Sequence, residues 1–244
     1  MAQVSGIGMA LALSLIASPV GAQVPVATEK SAVRPGFAFP AKEEVKLLVF
    51  RPEIKVGELT TAGLFQTQAD WYAGARSELV GALIDETRRR GFSASLHDEE
   101  SALLAEHRAL FRLIVSAAIR HKLFGRDPLP SKAQVFDWSL GPGIAQIAPR
   151  SGADYGLFLF SQDSFQSAGR KAAGLVATLM GAAPSGGTHF GYAALVDLHN
   201  GDLLWLHVDL KASGDVRNAE GAAQRIGQFF KDFPVRSAPD PAQP

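Results

Sequence analysis

The stretch His189 to Lys211, HFGYAALVDLHNGDLLWLHVDLK, constrains this chain most. Asn200-Gly201 separates two apolar runs, and both residues tolerate the positive φ of a two-residue type I′ turn. That turn predicts a β-hairpin in which Val196 faces Trp205, Leu198 faces Leu203, Leu195 faces Leu206 and Ala193 faces Val208. One face then carries Ala193, Leu195, Leu204, Leu206, Val208 and Leu210. The other carries Tyr192, Val196, Leu198, Leu203 and Trp205 before turning polar at His207 and Asp209. Two largely apolar faces need covers on both sides. The expected strands are therefore interior ones of a layered α/β domain.

Upstream, the chain supplies the covers. Val45 to Phe50 is a compact apolar strand ended by Arg51-Pro52, and residues 53–69 read as a long Thr- and Gly-rich loop. Asp70 is placed to cap a helix that carries Trp71, Ala75, Leu79, Ala82 and Leu83 at helical spacing. That helix stops at Gly91 after Arg88-Arg89-Arg90, cations that complement a helix C-terminus. Phe92 to Leu96 is a short candidate strand. Asp98-Glu99-Glu100 opens a second helix, whose stripe runs through Leu103, Leu104, His107, Leu110, Phe111, Ile114, Val115 and Ala118.

Residues 122–141 read as loop, in which Phe136 and Trp138 are expected to fold back over the core. Pro142 fits the first turn of a short helix. Gly152-Ala153-Asp154 leads into a strand from Tyr155 to Phe160, and Asn218 can cap a last helix with Ala222, Ala223, Ile226, Phe229 and Phe230 inward. The expected fold is a single layered α/β domain with a mixed sheet of about five strands flanked by helices, closing with the hairpin and a helix. It spans 44–235, with an extended arm or linker at 23–43 and a frayed, disordered tail at 236–244.

Residues 1–22 have the form of a secretory signal peptide. Ile7 to Ile16 is apolar and too short to span a bilayer, and Val20-Gly21-Ala22 places small residues before a cleavage at Gln23. No Lys or Arg precedes the apolar core. The expected location is periplasmic or secreted. With Cys 0, disulfides, thiol catalysis and a lipid-modified cysteine are excluded, so the mature chain is not expected to be a lipoprotein. Lys+Arg and Asp+Glu are both 24, which removes the electrostatic case for nucleic acid or an anionic membrane surface.

Motifs for phosphate loops, dinucleotide binding, nucleophile elbows and zinc proteases are missing from the sequence. His97 beside Asp98, Glu99 and Glu100 reads as a helix start rather than a metal site. Asp197 is expected to accept N–H bonds of the hairpin turn. Two segments are left as candidate sites. Asp163, Ser164, Ser167, Arg170 and Lys171 follow the Tyr155 strand in a polar stretch. Ser167 and Lys171 share a face if that stretch is helical, a spacing compatible with an activated nucleophile, although a solvated, flexible connection is the favoured reading. Ala172 to Ala183 is uncharged and carries Leu175, Val176, Leu179 and Met180, a sticky patch that something must cover. As a helix its twelve residues reach about 18 Å, short of the roughly 30 Å hydrocarbon core. Its cover is the protein's own sheet, another protein, or a membrane surface touched shallowly with Arg170 and Lys171 at the headgroups.

Gly152-Ala153-Asp154-Tyr155, then Gly191-Tyr192-Ala193-Ala194-Leu195-Val196-Asp197-Leu198 and Gly201-Asp202-Leu203-Leu204-Trp205, resemble a pattern of bacterial envelope proteins. These are the curli secretion channel family, the outer-membrane activators of penicillin-binding proteins, and the amino-terminal domain of TolB-like proteins. Asn200 and Asp202 stand where that pattern has threonine and glutamate. The resemblance covers roughly residues 140–235. It implies an α/β envelope module that binds other proteins, usually without catalysis. The expected function is a non-enzymatic interaction module in envelope assembly or maintenance, with an envelope protein or a second copy as partner and no cofactor. A channel role is not expected, since no pair of long alternating segments is evident. The rival is a hydrolase or small-ligand binder built from loops 51–70, 124–141 and 161–171, which are expected to lie beside strand ends.

Overall fold

The structure is a computed structural model that describes residues 27–40, 44–147, 152–181 and 187–235. The signal at 1–22, the tail at 236–244 and the end of the apolar run at Ala182-Ala183 lie outside the described residues. Among those described, eight strands form one mixed sheet. In chain order they are β1 (Glu29–Val33), β2 (Lys46–Phe50), β3 (Glu53–Leu59), β4 (Phe65–Thr67), β5 (Ser93–His97), β6 (Tyr155–Gln166), β7 (His189–Asp197) and β8 (Leu203–Asp209). The helices are α1 (Ala69–Arg89), α2 (Ala102–Ala118), α3 (Ala168–Leu179) and α4 (Ala219–Phe229). The class is the expected one, and the strand number exceeds the expected five.

The sheet runs β1-β8-β7-β6-β2-β5, with β3 and β4 branching from the far half of β6. β6 is the organising strand. Its first residues pair in parallel with β2, as Leu47 with Tyr155, and its later ones pair in parallel with β3, as Glu53 with Phe160 through Leu59 with Gln166. Pro52 lies between β2 and β3, where the chain steps from one half of β6 to the other. β3 and β4 occupy the stretch read as a Thr- and Gly-rich loop. Ile54 and Val56 are buried there while Lys55 is exposed, a half-buried alternation too short to stand out among charges. β1 lies in the N-terminal arm and covers the β8 edge, pairing Glu29 with Asp209 and Ser31 with His207.

α1 and α4 pack on one face over Leu47, Val49, Leu157, Leu195 and Trp205. α2 and the 124–141 loop cover the other over Leu48, Phe158, Val196, Leu203 and Leu206. Phe136 and Trp138 are both buried in that second layer, as their expected role required. α2 starts at Ala102 under the Ser101 cap, whose hydroxyl accepts the Leu104 N–H. The acids before it are held by arginines instead: Arg51 and Arg76 meet Asp98, and Arg51 and Arg108 meet Glu100.

The hairpin forms, in a different register from the expected one. Leu195 faces Trp205, Ala193 faces His207, Tyr192 faces Val208 and Val196 faces Leu203, with an irregularity between Leu195 and Val196. The loop is the reason. Asn200 has no positive φ; only Gly201 does, at 81°, so a type I′ turn does not form. The turn closes by Gly201 N–H to the Asp197 carbonyl and Asp197 N–H to the Asp202 carbonyl, both 2.9 Å. The Asp197 carboxylate accepts the His199 N–H at 2.7 Å, as expected of it. The shift moves Trp205 onto the face of Ala193 and Leu195, and Leu206 and Val208 onto that of Tyr192 and Val196.

Candidate functional site

The far end of β6 carries the polar stretch singled out in the sequence. It is not a solvated connection. Ser161 to Gln166 remain in the strand, and Ser161, Asp163 and Ser164 are buried. Polar side chains remain in an interior strand only when each finds a partner. Here the partner is Arg225 of α4, itself fully buried. Its guanidinium donates to both Asp163 carboxylate oxygens at 2.8 and 3.2 Å and to Ser161 Oγ at 2.7 Å. The Ser213 and Gly214 carbonyls take its other N–H groups at 2.7 and 3.0 Å. Ser161 Oγ donates to Asp163 at 2.7 Å, and His189 Nδ1 stands 2.8 Å from the other carboxylate oxygen.

Burial pushes the Asp163 carboxyl up. The hydrogen bonds from His189, Arg225 and Ser161, together with the Arg225 charge, outweigh it and hold the group below the usual carboxylate range. All five guanidinium donors are committed, and so is the Ser161 hydroxyl. The arrangement is a staple that ties α4 to β6, with no group left poised as a nucleophile. Beside it Arg217 pairs with Asp215 and lies over Phe165 and Trp71, 3.7 and 4.5 Å from the ring centroids.

The five predicted polar residues are not brought to one point. Asp163 is inside the staple. Ser164 bonds the Thr188 backbone, accepting its N–H at 2.7 Å. Ser167 is the N-cap of α3 and accepts the Arg170 N–H at 3.1 Å. Arg170 reaches the Thr60 carbonyl at 3.4 Å, which leans the first turn of α3 on the β3–β4 turn, and Lys171 is exposed. Ser167 and Lys171 meet through backbone only, the Lys171 N–H donating to the Ser167 carbonyl at 2.9 Å. The activated-nucleophile spacing therefore resolves into a helix cap.

The four predicted contact residues are brought together. With about 100° of turn per residue, Leu175, Val176, Leu179 and Met180 form one stripe of α3. Their exposures are 64%, 57%, 81% and 84%. The half-buried positions are Arg170, Gly174 and Ala177, on the other side. This inverts the usual dress of a surface helix, which turns its apolar stripe to the core. No residue of α3 is buried. Gly174 has no atom within 4 Å of where a Cβ would stand, so α3 rests only loosely on its inner side.

Two adjoining hollows lie on the α2 side, sharing Ile119 and Leu210. One, of about 330 Å³, is lined by Lys55, Arg112, Phe190 and Tyr192 among others, and the second, of about 380 Å³, by Arg120, Phe124 and Arg126. The 51–70 and 124–141 segments contribute to them, and 161–171 does not. No described helix is long and apolar enough to cross a membrane.

Sequence reasoning missed Arg225, His189 and Arg217. A signal existed for the first: Arg225 falls on the apolar stripe of α4 between Ala222 and Phe229, where a cation requires a buried partner.

No protein-family model and no curated protein matches this chain. Among solved structures it is similar to the PelC dodecamer of Paraburkholderia phytofirmans, at 13% identity and a TM-score of 0.40, over 86% of this chain and 99% of that one. A single-substitution variant of that dodecamer is similar at 13% identity and a TM-score of 0.37 over the same shares.

Proposed function

We propose that this chain is an exported, non-enzymatic interaction module of the cell envelope, and that the outward stripe of α3 is its contact with a second copy of itself. The observation that carries the reading is the stripe: four large apolar side chains turned to solvent on a helix whose inner side is small. Export rests on Ile7–Ile16 and Val20-Gly21-Ala22, and mass spectrometry should find a mature N-terminus at Gln23.

Magnitudes favour a second copy over a smaller partner surface. A large apolar side chain is worth about 1.5–3 kcal/mol when fully buried, so the unburied fraction here is on the order of 4–8 kcal/mol. Association itself costs an estimated 4–15 kcal/mol. One stripe against a neutral surface barely offsets that. Two copies meeting stripe to stripe double the gain.

Leu175, Val176, Leu179 and Met180 all changed to Ser provide the test, read by light scattering, liposome flotation and thermal melting. Loss of assembly with an unchanged melt is the expected result. A parent protein already monomeric and free of liposomes, with a collapsed melt in the variant, would return the stripe to the fold. A lipid-bound parent released by the substitutions would transfer it to a membrane surface.

The rival small-ligand reading is favoured by the hollows at Ile119 and Leu210, whose apolar walls and nearby Lys55 and Arg126 suit an anionic amphiphile. Dodecanoate binding that Leu210→Arg abolishes would support it.

A further inference from the structure

Among the described residues, one group of three metal-ligating side chains lies together: Glu29 on β1, His207 on β8 and Asp232 in the turn after α4. One ligand atom from each lies within 4.8 Å of the other two. Two acids beside a histidine are ordinary. The state of this imidazole is not. The His207 side chain is fully buried, and neither ring nitrogen has a hydrogen-bond partner. Nε2 stands 3.6 Å from a Glu29 carboxylate oxygen and Nδ1 4.0 Å from one of Asp232. Both separations exceed hydrogen-bond reach, and buried polar atoms are seldom left so.

Other groups nearby do not satisfy the ring. Asp209 is engaged with the Lys211 N–H and the Gln228 amide. Lys231 Nζ lies 3.4 Å from Glu29, and Ser31 Oγ donates to Asp232 at 3.1 Å. Burial pushes the imidazole below its ordinary value, against the pull of Glu29, Asp232 and Asp209 and assisted by Lys231. A ring nitrogen without a hydrogen-bond partner has its lone pair free for a metal.

We propose that Glu29, His207 and Asp232 bind a divalent cation of the zinc type, which clamps the N-terminal strand and the C-terminal turn to the sheet. One imidazole nitrogen with two carboxylates is a zinc-type set, whereas calcium and magnesium take oxygen alone. Bond lengths near 2.0–2.1 Å place tetrahedral ligand atoms about 3.3 Å apart. The ion takes one ring nitrogen, so the carboxylate now nearer the other must swing round to it, and the ligand atoms must close in by up to about 1.5 Å from the 4.8 Å limit on their separations. They have room to do so, since the Glu29 and Asp232 side chains are 28% and 51% exposed. A water completes the fourth position. The ion displaces Lys231 from Glu29, so Lys231 opposes binding.

The test uses the untagged full chain, stripped with a chelator and titrated with zinc chloride by calorimetry. Thermal melting and the visible absorption of the cobalt(II) form accompany it. The expected result is one equivalent bound, a higher melting temperature with zinc, and the absorption bands of tetrahedral cobalt. Glu29→Gln and Asp232→Asn should each weaken binding at least about a hundredfold, at or beyond the upper end of what the loss of an outer-sphere partner costs a metal site. Both positions are partly exposed, so their metal-free melts should stay close to the parent's. Lys231→Gln should tighten binding. A parent protein that takes up no stoichiometric zinc would overturn the proposal, as would variants that bind as the parent does. The readouts are independent of the α3 stripe, so neither proposal falls with the other.

Discussion

Replacing Arg225 with methionine removes the five hydrogen bonds that its guanidinium donates, to Asp163, Ser161 and the Ser213 and Gly214 carbonyls. Methionine keeps most of the apolar stem, so the loss isolates the polar head. What remains is a carboxylate with 0% exposure, held only by Ser161 and His189. Breaking one side of a buried ion pair costs about 3–5 kcal/mol, because the stranded charge keeps its desolvation penalty. Against the roughly 5–15 kcal/mol that holds a domain, that is a large share. For a chain of this size it corresponds to a fall in Tm of roughly 6–20 °C.

Urea melts of Arg225→Met, Asp163→Asn and the double variant form a cycle that measures the pair. The double variant should lose less than the sum of the singles by about 1–3 kcal/mol. Acid supplies a second readout. The Asp163 carboxyl is held below its ordinary value of about 3.9. Its contribution is therefore complete above that pH and is lost as pH falls below it through the native-state pKa. Arg225→Met removes the cation that lowers it, so this part of the acid limb should flatten. A loss under about 1 kcal/mol, or an additive cycle, would mean that the staple is hydrated and that the far end of β6 is not held this way.

Two further outcomes are expected. Trp205→Ala should cost about 3–5 kcal/mol in denaturant melts, because the indole is fully buried, faces Leu195 and meets Phe233 edge-on at 4.9 Å; a loss under about 1 kcal/mol refutes the packing. Gly201→Ala should cost at least about 2 kcal/mol, since its φ is 81° and an added Cβ would lie 2.1 Å from the Gly141 carbonyl oxygen. Gly36→Ala, at φ 77° with open space around it, is the control that should cost only about 1 kcal/mol.

Local chemistry was legible where it acts locally. The Asn218 cap forms, its side chain accepting the Gly221 N–H at 2.8 Å. Ala222, Ile226, Phe229 and Phe230 turn inward as their spacing required, while Ala223 faces out. The burial of both hairpin faces followed from composition alone. Register did not, because it depends on whether Asn200 joins Gly201 at positive φ, and a dipeptide that permits a turn does not impose it. The polar half of β6 was illegible for a different reason. Ser161, Asp163 and Ser164 read as loop until Arg225, distant in sequence, is brought against them, and β3 supplies the parallel neighbour that keeps the segment extended.

The same dependence explains why the two predicted site segments fared differently. A buried polar cluster is defined by its partners, so residues that look reactive in sequence become a staple once the partners arrive. An apolar stripe is defined by what it does not touch. Leu175, Val176, Leu179 and Met180 keep in the fold the character they had in the sequence, turned to solvent with no core beneath them. The staple and the stripe are thus consecutive parts of one construction. β6 is pinned by α4 at Asp163, and Ser167 caps α3 four residues later. Arg170 and the small Gly174 and Ala177 then set the helix on its inner side with the stripe facing out. A helix tied by its first turn to a stapled strand already holds the four side chains in one stripe, so less ordering entropy opposes docking than for the same residues on a free loop.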